Sequence, residues 1–245
     1  MGAKTGYANV ILRCLGLRPG QGADRYVWCE PDAGVRLLLH AMTSREIATK
    51  AAGIIASWKD EDPKALWLKL RAEGPAVCPP IDPREVARWV QRAVWSYEQG
   101  NIRTGFVGPG QRRQDTTATA TATARIALDL PATITADARD IDPREVAPGV
   151  VVFIDPPYEN CSGYAHVFPR SEWLPIVRRW AEAGALVCVS EAEPIPDLMA
   201  EGWHAVEITG ERVGQKRTFS KQQREWLTMS RPPAWKPSIQ GKLFA

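Results

Sequence analysis

Two rhythms of apolar residues alternate along this chain. Short unbroken runs (Tyr26 to Cys29, Val150 to Ile154, Ala185 to Ser190) read as strands. Between them apolar residues recur every three or four positions, the period of a helix with one buried face. That spacing predicts helices at Val10-Ile11-Leu12, at Val35 to Met42, and through Ile47, Ala51, Ile54, Ile55 and Trp58. It continues at Leu66, Trp67 and Leu70, through Val86, Trp89, Val90, Ala93, Val94 and Tyr97, and over Trp173 to Ala183. Such alternation predicts an α/β protein with a parallel sheet. Glu207-Ile208 and Glu225 to Met229 predict two antiparallel closing strands. Five apolar residues at Val150 to Ile154 predict a strand buried on both faces.

Two segments follow other rules. Ile102 to Val107 reads as a strand, Gly108-Pro109-Gly110 as a turn, and Thr117 to Ala124 alternates threonine with alanine. Strict period two predicts a strand with a threonine face and an alanine face, so the whole reads as a hairpin; a flexible linker is the rival. Gln111, Arg112 and Arg113 would stand at its tip. The heptapeptide Ile81-Asp82-Pro83-Arg84-Glu85-Val86-Ala87 recurs at Ile141 to Ala147. Each copy predicts a helix start, with Asp as cap and Pro at the first helical position. Nothing around the copies repeats, so this is a shared cap and no duplication. Arg84, Arg88 and Arg92 follow at four-residue spacing, either a ridge for phosphates or a solvated helix face.

The strand at Val150 to Ile154 ends in Asp155-Pro156-Pro157-Tyr158. Two prolines lack N–H groups and fix φ near −65°, so the sheet must stop there. Ligand crevices of open α/β sheets lie beyond such strand ends. Asp-Pro-Pro-Tyr after such a strand resembles the catalytic motif of methyltransferases that modify exocyclic amino groups of nucleobases. The resemblance implies that the Asp155 carboxylate and the Pro156 carbonyl each accept one N–H of the amine, directing its lone pair toward a methyl donor. Tyr158 would stack on a base extruded from its duplex, returning roughly 1–3 kcal/mol. A second strand exit, Glu30-Pro31-Asp32-Ala33-Gly34, joins the first long strand to a helix, as in nucleotide-type cofactor sites.

Composition narrows the classes. The chain has 245 residues, 44% hydrophobic and 24% charged, as soluble globular proteins do. No apolar run approaches the roughly 18 residues of a membrane span, and the segment after Met1 lacks a signal-peptide pattern. Five scattered cysteines, none in a Cys-x-x-Cys pair, speak against a disulfide framework or a metal site and for a reducing cytoplasm. A net charge of +3 is too small to argue for a nucleic-acid partner by itself.

Gly-x-Lys near the start, Glu-Pro-x-x-Gly after the first strand and a late Asp-Pro-Pro-Tyr together resemble the Dam-type, alpha-group DNA adenine methyltransferases. The resemblance covers roughly residues 1–55 and 130–230. It implies a Rossmann-like methyltransferase fold with a mixed, mainly parallel sheet and a small, mostly helical target-recognition insertion. Residues 1–55 and 126–245 would then form the catalytic domain, and 56–125 the insertion. It implies S-adenosylmethionine as cofactor, facing Gly2, Ala3, Lys4, Tyr7, Glu30, Pro31, Gly34 and Asp155, with Asp137 and Ala138 beside its adenine. It implies DNA as partner, held by Gln111, Arg112, Arg113, Lys216 and Arg217, with no metal and no membrane, in the cytoplasm of a bacterium or a phage-infected cell. Asp155, Pro156, Pro157 and Tyr158 would carry catalysis. Asp before Pro-Pro-Tyr favours adenine over the cytosine amino group, and RNA stays open as substrate. A single glycine in the first-strand turn leaves room for another class, a catalytically silent nucleic-acid-binding protein of the same fold.

Overall fold

The computed structural model describes residues 4–18, 23–72, 77–96, 106, 115–145, 149–158, 166–209 and 224–236. It is a mixed α/β structure that divides into two compact units, Ala23–Asp140, and Gly2–Gly22 with Ile141–Ala245.

In the first unit, β1 (Tyr26–Cys29) pairs in parallel with β2 (Ala132–Thr135), Tyr26 opposite Ala132 and Cys29 opposite Thr135. The other elements here are helices: α2 (Ala33–Thr43), α3 (Arg45–Ser57), α4 (Pro63–Ala72), α5 (Pro83–Val94) and α6 (Thr116–Ala124). Their starts are written locally. Asp32 caps α2 by accepting from Val35 N at 2.9 Å, Ser44 caps α3, and Asp82 caps α5 by accepting from Arg84 N at 2.8 Å. Such caps contribute about 1 kcal/mol each. Leu37, Ala51, Ile55, Leu66, Trp67, Val86, Trp89 and Ala120 share one core, drawn from all five helices. The described part of 56–125 therefore packs into the same core as α2 and α3.

The Thr/Ala alternation forms helix α6, where a strand was expected. Asp115 caps it, accepting from Ala118 N at 2.7 Å. Thr119, Thr121 and Thr123 each donate a hydroxyl hydrogen to the carbonyl four residues back, at 2.8 to 2.9 Å. The buried residues are Thr116, Thr119, Ala120 and Thr123, a helical stripe. That stripe lies against α3, whose buried face is Ala48, Ala51, Ala52 and Ile55. Two small-residue faces let the helices approach closely. Thr and Ala are too alike in bulk for period two to mean two faces. Of the expected partner strand only Phe106 is described, bridged to Ser96 and packed on Trp67 and Trp95.

The second unit holds a four-stranded sheet in the order β3-β4-β6-β5. These are β3 (Val151–Ile154), β4 (Leu186–Glu191), β5 (His204–Glu207) and β6 (Trp226–Met229). β3 and β4 run parallel, and β6 is antiparallel to both β4 and β5. Trp173, Val177 and Trp180 of α7 (Arg170–Glu182), with Leu198 of α8 (Pro196–Ala200), pack on Val187 and Val189 of β4. Val10, Ile11 and Cys14 of α1 (Ala8–Cys14) pack with Cys188, Val206, Leu227 and Met229. Successive residues of β4 thus enter different clusters, and β4 is the strand buried on both faces.

Double burial of β3, expected from its apolar run, is not observed. Val152 and Ile154 join the α7 cluster, while Val151 and Phe153 remain 36% and 39% exposed. Within its sheet β3 is an edge strand, and the α1 cluster takes its residues from β4, β5 and β6. The second heptapeptide copy also departs from expectation. Among the described residues it forms only a 3-10 turn, Pro143–Glu145, with Asp142 accepting from Arg144 N at 3.0 Å.

Candidate functional site at two strand exits

Both candidate regions stand where a parallel strand ends in an acid and a proline. At the end of β3, Asp155 is exposed, Pro156 is buried, and the Tyr158 side chain turns inward, 6% exposed. The Tyr158 hydroxyl donates to Glu225 Oε1 at 2.6 Å, and Ser190 Oγ donates to the same oxygen at 2.6 Å. Ser190 belongs to β4, and Glu225 immediately precedes β6. The turn after β3 is thereby tied to two further strands. Burial first, then the hydrogen bond to Glu225, pushes the Tyr158 phenol far above its ordinary value. Asp155 raises it further, which puts that carboxylate within electrostatic reach. Tyr158 closes the turn from inside; its ring offers no open face for the base stacking expected of it.

At the end of β1 the acid is folded back onto its own chain. Glu30 Oε1 accepts from Asp32 N at 2.9 Å, and Arg36 Nη1 donates to the carbonyls of Glu30 and Pro31, both at 2.7 Å. Glu30 N donates to Thr135 O at 3.0 Å, extending the ladder to β2. Just beyond that contact, Asp137 holds Arg139 through Nε at 2.8 Å and Nη2 at 2.5 Å. Those bonds hold the Asp137 carboxyl below its usual range. Ala138 opens a 3-10 turn, Ala138–Asp140. Burial, then the charges of Asp137 and Asp140, pushes the Cys29 thiol up to about 11, as an acidic strand edge should. Glu30, Pro31, Gly34, Asp137 and Ala138 therefore gather at the carboxyl end of one parallel pair.

Gly34 has a reason of its own. A side-chain carbon there would stand 1.6 Å from Nε1 of the buried Trp89 indole, so only glycine fits between α2 and α5. Helix packing therefore requires glycine at this position whatever else approaches it.

Tyr7 ends the 3-10 turn Lys4–Tyr7 and packs half-buried against the α1 cluster. Gly2, Ala3, Gln111, Arg112, Arg113, Lys216 and Arg217 lie outside the described residues, and with them the tip of the expected hairpin. Among the described residues no group of three or more His, Cys, Asp or Glu side chains is placed to hold a metal, and no helix is long and apolar enough to cross a membrane. Sequence reasoning missed Ser190 and Glu225 as partners of Tyr158. An acid directly ahead of an apolar strand was the available signal, but its partner lies 67 residues away.

Neither a comparison with protein-family models nor a search of curated proteins returns a match to this chain.

Proposed function

We propose that this protein transfers a methyl group from S-adenosylmethionine to the exocyclic amino group of adenine in DNA, within a Rossmann-like methyltransferase fold. The observation that carries the reading is the exit of β3. Asp155 is exposed at the carboxyl end of a parallel strand, two prolines set its turn, and Tyr158 anchors that turn on Glu225 and Ser190. The antiparallel β5–β6 pair expected to close a methyltransferase sheet supports it, as does the acidic edge formed by β1 and β2.

In this reading the target base leaves the duplex before reaction. The Asp155 carboxylate and the Pro156 carbonyl accept its two amino hydrogens. That withdraws the nitrogen lone pair from the ring and aims it outward. When bound, the cofactor supplies an electrophilic methyl group. Asp155, a weak base, takes the extra proton only after the new N–C bond exists. Glu30 and Asp137 serve as acceptors for the cofactor's ammonium and adenine, and Gly2, Ala3, Lys4 and Tyr7 are the further cofactor contacts of this proposal. Gln111, Arg112, Arg113, Lys216 and Arg217 are its DNA contacts.

Sequencing modified bases in DNA from cells expressing the chain tests the reaction. N6-methyladenine in a defined context is expected; unmodified DNA, with folded, soluble protein in the extract, rejects it. One observation favours a second reading, a silent nucleic-acid binder of this fold. Gly34, the glycine of the cofactor-type turn, is already required by its packing on Trp89. Calorimetry with S-adenosylmethionine separates the two, since a silent binder has no use for the methyl donor.

A further inference from the structure

Arg92 lies on α5 one turn beyond Trp89, on the same helix face. Trp89 meets Gly34 at the start of α2, and the Asp32 cap exerts its charge on Arg92, so this face borders the β1–α2 turn. Arg92 is only 5% exposed, yet its Nε has no hydrogen-bond partner, and it forms no ion pair with any described residue. Burial first, then the like charges of Arg71 and Arg88, lowers its pKa, with Asp32 opposing them. Asp32 is already engaged, accepting from Val35 N. A buried guanidinium short of partners is costly, and an anion that fills its planar fork relieves that cost. Gln91 beside it is also buried and unpaired, but an amide selects neither sign of charge.

The same turn carries Glu30. An acid on that turn and an arginine on the helix face beside it are what recognition of an amino-acid zwitterion needs, the acid for the ammonium and the guanidinium for the carboxylate. We propose that Arg92 is the carboxylate-binding residue for the methionine end of S-adenosylmethionine. This rests on the cofactor reading above and adds to it a residue that no motif marked.

The test is calorimetry on the full chain with two ligands, S-adenosylmethionine and its decarboxylated analogue. Wild type should bind the analogue about 10- to 100-fold more weakly, the worth of one charge-assisted pair. Arg92→Met keeps the apolar stem. It should lose that factor for S-adenosylmethionine and bind the analogue as wild type does. Arg92→Lys keeps the charge without the fork and should fall between, a second variant should the methionine one not fold. Equal affinity of wild type for both ligands overturns the inference while leaving the cofactor reading in place. So does an Arg92→Met or Arg92→Lys protein that binds S-adenosylmethionine as wild type but DNA more weakly, which would make Arg92 a phosphate contact. Wild type that binds neither ligand overturns the cofactor reading itself, and this inference with it.

Discussion

The two acid-proline strand exits share a sequence logic and differ in what they lock. After β1 the chain immobilises the acid: Glu30 accepts from Asp32 N, and Arg36 holds the carbonyls on either side. After β3 the chain immobilises the turn beyond the acid. Tyr158 is buried and bonded to Glu225, while Asp155 stays exposed. An acceptor held rigid suits a standing ligand, since its geometry is set before the ligand arrives. An exposed acid on an anchored turn suits a reacting group, which must meet a substrate from outside yet keep its direction.

Removing the exposed acid should give the largest effect. If Asp155 acts as proposed, Asp155→Ala deletes an acceptor that works mainly in the transition state, so the proposed methyl transfer should fall at least about 100-fold, as when one oxyanion-hole donor is lost. Steady-state rates on folded variant protein check this; activity within a few-fold of wild type would end the contrast, leaving the β3 exit structural.

Next is the packing beneath the first exit. Gly34→Ala gains about 1 kcal/mol of helix propensity, but drives a methyl group into the buried Trp89 indole. Overpacking of this kind costs about 1–3 kcal/mol, and with so close an approach to a rigid ring the net change should be destabilising. Thermal melting decides, and an unchanged or higher Tm would show that the indole moves aside freely.

Glu30→Ala sharpens the contrast from the binding side. On the proposed cofactor reading it should weaken S-adenosylmethionine by about 1.5–3 kcal/mol, the range for bonds to charged groups, with kcat at saturating cofactor little altered. An unchanged dissociation constant in a variant of normal Tm would leave Glu30 as a loop brace alone.

The smallest effect concerns pH. The Tyr158 phenol titrates above its ordinary value of 10.0 in the folded chain, so above that value the unfolded chain sheds a proton that the folded chain retains. Stability contributed by Tyr158 is therefore complete below about pH 10 and lost as pH rises further. Tyr158→Phe should flatten this alkaline limb while leaving the ring in place. If wild type and Tyr158→Phe lose stability in parallel above pH 10, the hydroxyl does not anchor the turn.

Much of the local structure could be read in advance. Asp32, Ser44 and Asp82 cap helices that begin as their spacing predicts, and strands stand at five of the apolar runs near the expected positions. The two copies of Ile-Asp-Pro-Arg-Glu-Val-Ala mark the limit of such reading. In both, Asp accepts from the N–H two residues on. The first copy runs into Arg88-Trp89-Val90 and becomes the 12-residue helix α5, whereas the second runs into Pro148-Gly149. A cap can start a helix, but only a continuing apolar stripe with a surface to bury against sustains one.

The sequence by itself determined where α2, α3 and α5 begin and where β1 and β3 stop, because a cap, a proline and a periodic apolar face act over a few neighbouring residues. It also placed an acid at the end of each of two strands. Only the tertiary structure decided which face of the Thr/Ala run is buried, since α3 supplies the opposing surface. Likewise it decided that β4 and not β3 is covered on both sides, because burial belongs to the neighbours of a strand. It joined Tyr158 to Glu225 across 67 residues and buried Arg92 with its Nε unpaired. No local pattern encodes either, since a hydrogen bond between distant residues exists only once packing has brought them within reach.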